Sequence, residues 1–160
     1  MPYLYSEAIA FHPLVQFLYV FMLVFLAVFI VLSPAPTVWL LLLVGLLLAA
    51  IPALFGRLVI DVDAENLTVR WGYLGWLTKI IPVQAIEKTE VVSYRPFRQF
   101  GGWGIRCGRF QGAWTVCHTL RGNRGILLSL STEIKFFFIP TRRVLLGSQE
   151  PDRLQQALGR

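Results

Sequence analysis

The chain has 160 residues, 56% of them hydrophobic, a net charge of +6 from fifteen Lys and Arg against nine Asp and Glu, and a mean hydropathy of +0.61. These charges are segregated. Every Lys and Arg lies after residue 56, and residues 8–56 form a 49-residue stretch with no Asp, Glu, Lys or Arg, which excludes an ordinary soluble domain over that part of the chain.

Residues 1–13 carry Tyr3, Tyr5, Glu7 and His12-Pro13 and read as an interfacial segment, where amphipathic rings are favoured at head-group level. No Lys/Arg n-region or small-residue cleavage site marks a secretory signal, so the apolar segments that follow are expected to stay in the protein. The transmembrane hairpin is expected over residues 14–56. Its first span is predicted at about 14–32 and its second at about 37–55. Each approaches the roughly 20 apolar residues that cross a hydrocarbon core of about 30 Å. Within lipid both must be helices, because no water satisfies the backbone. Ser33-Pro34-Ala35-Pro36 separates them, and so short a break forces an antiparallel hairpin. Pro52 is expected to kink or loosen the end of the second helix, and Gly56 to stop it. Gln16, near a span end, reads as a contact to interfacial water. Arg57, Arg70 and Lys79 follow the second span while the turn is uncharged. The positive-inside rule then places both termini in the cytoplasm of an inner (cytoplasmic) membrane protein.

From residue 57 the pattern changes to short alternating runs, so residues 57–160 are expected to form a cytoplasmic domain. LVIDV, a turn at Asp63-Ala64-Glu65-Asn66, and LTVRW read as strand, turn, strand. A turn at Gly72-Tyr73-Leu74-Gly75 leads to WLTKIIP, then IEKTEVVSY. After an Arg-, Phe- and Gly-rich loop come strands at Trp103–Cys107 and Ala113–Thr119, a turn at residues 120–125, then ILLSLS, IKFFFIP and VLLG. Ser148 is placed to cap a closing helix over about Pro151–Leu158, whose Leu154 and Leu158 share one face. About seven short strands and one helix predict a twisted antiparallel sheet or partly open barrel with a helical plug.

In this order LVIDVDAENLTVRWG, IPVQAIEKTEVV, GGWGIR, RGNRGILLSL and VLLGSQEPDRLQQAL resemble the bacterial pleckstrin-homology-like (PH-like) domains of membrane proteins with an N-terminal two-helix hairpin. The resemblance spans residues 58–158 and the hairpin before them. It implies a membrane-anchored α+β protein in which a transmembrane hairpin precedes a PH-like antiparallel β-barrel or sheet capped by a C-terminal α-helix. That fold hosts lipid-binding, protein-binding and assembly roles, so it assigns none of them alone.

The local feature that bears on function is the window 91–132. It holds no Asp or Glu, six arginines (Arg95, Arg98, Arg106, Arg109, Arg121 and Arg124) and interleaved aromatics at Tyr94, Phe97, Phe100, Trp103, Phe110 and Trp114. Arginine offers a planar fork of donors that fits phosphate or carboxylate. One reading is therefore an anionic contact, to lipid or to an acidic partner protein, with Phe97, Phe100 and Trp103 at the membrane boundary. The other is a solvated rim of arginines around a β-core that buries the rings. Gly101, Gly102 and Gly104 suit a turn or bulge and match no phosphate-binding fingerprint.

No nucleophile–base set or metal-ligand spacing stands out. Glu87 and Glu90 face opposite sides of a strand, His118 points away from Cys117 and reads as a sheet-surface histidine, and Ser129, Ser131 and Thr132 lack Asp–His companions. Cys107 and Cys117 lack CxxC spacing and read as free, partly buried thiols of a reducing compartment. A disulfide would need Cα atoms within about 7 Å. No catalytic residue, cofactor, metal or nucleic acid is expected. The expectation is a non-enzymatic module that binds a membrane protein partner, a second copy or anionic head groups. Its alternative is an accessory or assembly subunit of a larger membrane complex.

Overall fold

The computed structural model describes residues 3–136 and 139–159. Two long helices, α1 (Pro13–Leu32) and α2 (Ala35–Phe55), form the hairpin. His12 caps α1, its Nδ1 accepting from the Leu14 N–H at 3.2 Å, and Gln16 turns its amide back to the Phe11 carbonyl at 3.1 Å. The connection is tighter than predicted: α2 begins at Ala35, because proline is tolerated in the first helical turn. The helices pack closely at Gly45, where a Cβ would stand 3.2 Å from Leu26 Cδ2. Both spans have mean hydropathies near those of bilayer helices, 2.8 and 2.7, and none of either span is buried by the rest of the chain.

A strand that the sequence did not disclose precedes the hairpin. β1 (Tyr5–Ala10) pairs antiparallel with β2 (Arg57–Val62), Ala10 opposite Arg57 and Tyr5 opposite Val62. The helices are thus inserted between two neighbouring strands of one sheet. With β3 (Asn66–Trp71) and β4 (Leu77–Pro82) these make a four-stranded antiparallel sheet in chain order. Its alternation is the one the sequence predicts: Leu67, Val69 and Trp71 are buried while Thr68 and Arg70 are not.

The second sheet has five strands in the order β5-β8-β9-β7-β6: β5 (Ile86–Ser93), β6 (Gly104–Phe110), β7 (Ala113–Thr119), β8 (Arg124–Phe136) and β9 (Ile139–Gly147). Three expectations change here. First, the sheet is mixed, because hairpins β6–β7 and β8–β9 meet through their second strands, which run the same way, Val116–His118 beside Val144–Leu146. Second, IKFFFIP is not one strand. Ile134–Phe136 end β8, Ile139 and Pro140 open β9, and Lys135 stands opposite Pro140, so the segment folds back on itself. Phe137 and Phe138 lie outside the described residues. Third, the two sheets remain separate and do not close into a barrel.

The sheets enclose one core that includes Ile9, Leu58, Ile60, Trp71, Ile126, Leu128 and Leu146. α4 (Pro151–Leu158) has the predicted bounds and inserts Leu154 and Leu158 into it. Ser148 does not cap that helix. Its Oγ accepts from the Glu150 N–H at 3.1 Å, one step early, and is itself engaged by Glu7. A smaller core of Val92, Tyr94, Phe100, Phe110, Cys117, Leu127 and Leu145 lies on the other face of the second sheet, under α3 (Pro96–Phe100).

Candidate functional site

The junction between the hairpin and the β-domain is built by the end of α2. A helix leaves its last carbonyls without intrahelical partners, and here the β3–β4 turn supplies them. The Tyr73 N–H donates to the Ala53 carbonyl at 2.9 Å, and Trp76 Nε1 donates to the Leu54 carbonyl at 2.6 Å. Trp76 also meets Phe55 edge to face, with ring centroids 5.4 Å apart. This seating depends on two glycines. A Cβ on Gly72, at φ +77°, would lie 2.4 Å from the Leu54 oxygen, and one on Gly56 would lie 2.4 Å from the Pro52 oxygen. The β-domain is therefore clasped onto the helix end rather than hung from a linker. Tyr73, Leu74 and Trp76 in this turn remain 60%, 77% and 45% exposed beside it.

The start of β6 faces the same junction. A cavity of about 370 Å³ is lined by Phe11, Ile51, Phe55, Trp71, Trp103, Gly104, Ile105, Arg106 and Leu120. Arg106 is exposed and folds back, its Nε donating to the Trp103 carbonyl at 3.2 Å. No carboxylate pairs with it among the described residues. Trp103 stacks edge to face on Phe97 at 5.0 Å, while its buried Nε1 meets no acceptor among those residues. A second cavity of about 400 Å³ runs between the helices, lined by Phe11, Val15, Gln16, Tyr19, Val20, Leu23, Ala49, Ile51 and Pro52.

The remaining candidates disperse. Arg95 and Arg98 are exposed on and beside α3, and the Arg95 N–H is held by Gln99 Oε1 at 2.7 Å. Arg109 stands at the opposite end of β6 from Gly104, about 17 Å along the strand at roughly 3.3 Å per residue. There it faces Trp114 across the hairpin. Arg121 is half-buried just after Leu120, and Arg124 pairs with Asp152 at 3.3 Å. Of the three boundary aromatics, Phe97 is 67% exposed and Trp103 half-buried. Phe100 is a correction: at 5% exposed it packs between Tyr94 and Phe110, since the short helix turns it onto the sheet.

Sequence reasoning missed a third concavity. β7 and β9 pair only over three residues and diverge below them, leaving a cavity of about 600 Å³ lined by Cys107, Trp114, Thr115, Val116, Pro140 and Thr141. Trp114 is 66% exposed, and Arg143 bonds Gln111 at the neighbouring hairpin tip at 3.0 Å.

Two thiols and one imidazole lie on the β6–β7 hairpin. Cys107 lies opposite Val116 and Cys117 opposite Arg106, so the free thiols face opposite sides of the sheet. Burial pushes the Cys117 thiol well up, away from the reactive thiolate. His118 is a second correction: it is fully buried, not on the sheet surface. Its Nδ1 accepts from Trp71 Nε1 at 2.9 Å, so the neutral ring carries its proton on Nε2. Burial pushes its pKa down to about 3. Comparison with family models, curated proteins and solved structures finds no match to the chain.

Proposed function

We propose that the chain is a non-enzymatic, membrane-anchored PH-like module that binds a membrane protein partner at the cytoplasmic face. The observation that carries the reading is the clasp of the β3–β4 turn on the last carbonyls of α2. If α1 and α2 span the bilayer, this clasp fixes which surfaces of the β-domain face lipid and which face away. Tyr73 and Trp76 belong to the turn at the junction, the depth at which amphipathic rings are stable, with apolar Leu74 between them and Phe97 stacked on Trp103. Arg109 and Trp114 stand away from it, beside an apolar cavity. Trp and Arg are the residue types that anchor interfaces, and tethering raises the effective concentration of the site for neighbours in the same membrane.

Purification of the full chain from native membranes in mild detergent tests this. A defined membrane protein should co-purify, and Arg109→Ala with Trp114→Ala should release it while the chain stays in the membrane fraction. A chain that purifies alone, or a partner unaffected by both substitutions, contradicts the reading. The second reading, an accessory subunit of a larger complex, draws on the uncovered faces of both helices. It predicts instead that the partner is held through α1 and α2 and survives loss of Arg109 and Trp114.

A further inference from the structure

The two junction cavities adjoin, with Phe11 and Ile51 in the walls of both, and together make a groove with two chemically different ends. We infer that this groove holds one anionic glycerophospholipid, its phosphate against Arg106 and Trp103 and one acyl chain in the slot between α1 and α2. The inference rests on the reading that the two helices cross a bilayer.

At the domain end the groove offers a guanidinium without a carboxylate partner among the described residues and a buried indole N–H without an acceptor. A buried donor left unsatisfied is costly, and an anionic oxygen removes that cost while pairing with arginine. Arg106 is oriented for it by its own bond to the Trp103 carbonyl. At the helix end the lining includes Val15, Val20, Leu23, Ala49 and Pro52, with Gln16 near the domain, its amide turned to the Phe11 carbonyl; this largely apolar wall suits a hydrocarbon chain. Among these residues is Tyr19, whose hydroxyl is buried and unpartnered among the described residues. Tyr19 lies six residues into α1 from Pro13, about 9 Å at roughly 1.5 Å per residue, the level of an ester carbonyl that a phenol would meet.

The domain end thus offers charge and the helix end a largely apolar slot with one hydroxyl, the two chemistries a glycerophospholipid combines. Each cavity alone reaches the lower part of the roughly 300–1,000 Å³ range of ligand sites. Exposed apolar residues on α1 and α2 elsewhere need only bulk lipid. This groove combines concavity with two unmatched donors.

The test is native mass spectrometry of the full chain released from mild detergent, with added phosphatidylglycerol or chain-matched phosphatidylcholine. One phosphatidylglycerol per chain should be retained, and phosphatidylcholine, whose phosphate is offset by its own choline cation, should be retained less. Arg106→Ala should lower the retained fraction about tenfold, the scale of a lost charge-assisted contact. Ala49→Trp should lower it similarly by filling the slot. An unchanged melting curve checks that each variant is folded. Soluble glycerol phosphate in excess should not compete. Equal retention of both lipids, retention unaffected by both substitutions, or displacement by glycerol phosphate would overturn the site. Alkaline extraction of the same membranes separates the two claims. Wild type and variants should all stay in the pellet, and release of the wild type would refute the anchoring, and the lipid site with it.

Discussion

Glu7 shows how a residue's role escapes a reading of its neighbours. It is the one charge before Arg57 and looks like the flank of a span. In the fold it joins the two ends of the chain: Ser148 Oγ and the Gln149 N–H donate to it at 2.6 and 2.7 Å, and the Tyr5 hydroxyl at 2.7 Å. No spacing rule links residues separated by 141 positions. His118 escaped for a related reason. Alternation told which side of the strand it faces but not that Trp71, on the other sheet, waits there as a donor. Its burial has a measurable consequence. The native ring stays neutral down to about pH 3, whereas an ordinary histidine binds its proton near 6.5. Between those values the unfolded chain takes up a proton that the native chain refuses, so stability is complete above pH 6.5 and falls as pH falls. The expected loss is up to about 1.4 kcal/mol per pH unit. Thermal unfolding of the full chain in detergent should show a lower midpoint at pH 5 than at pH 7. His118→Asn, which keeps an acceptor for Trp71 but does not titrate, should flatten that dependence. An equal dependence in both proteins would contradict the assignment.

Among elements, the helices were legible to within two residues because a bilayer-length apolar run tolerates one conformation only. The strands were legible where one face is buried, as in β3, and illegible where the signal is short or continuous. β1 follows no motif, since Ser6, Glu7 and Ala8 give little alternation, and only its register against β2 makes it a strand. The run IKFFFIP is apolar throughout, and periodicity alone does not place a turn within such a run. That β1 belongs to the first sheet changes the anatomy: residues 57–160 lack an edge strand and the Glu7 tie. A fragment beginning at Arg57 should therefore be less stable than a version in which the hairpin is replaced by a two-residue Asn-Gly turn joining Ala10 to Arg57, which face each other across the strands. Urea unfolding of the two soluble proteins compares them directly. A midpoint for the bare fragment equal to that of the joined version would show that β1 is dispensable.

For the molecule as a whole, a run of short strands with a closing helix was legible from the sequence of turns and strands, whereas the division of those strands into two separate sheets and the parallel pair in the second were not. The candidate site was legible only in part. The arginine-rich window marks Arg106 and Trp103, but their partners Phe11, Ile51 and Tyr19 come from segments that contain no basic residue at all. Because β1 and β2 flank the hairpin within one sheet, both ends of the helix pair emerge on the same side. The account built on this is that α1 and α2 cross the inner membrane and hold the β-domain at its cytoplasmic surface. The most direct measurement is labelling of single introduced cysteines in intact cells with a membrane-impermeant maleimide. In a chain with Cys107 replaced and Cys117 left buried, Ser33→Cys in the hairpin turn should react in intact cells, whereas Asn123→Cys in the exposed β7–β8 turn should react only after permeabilisation. Labelling of position 123 in intact cells, with position 33 protected, would contradict the account.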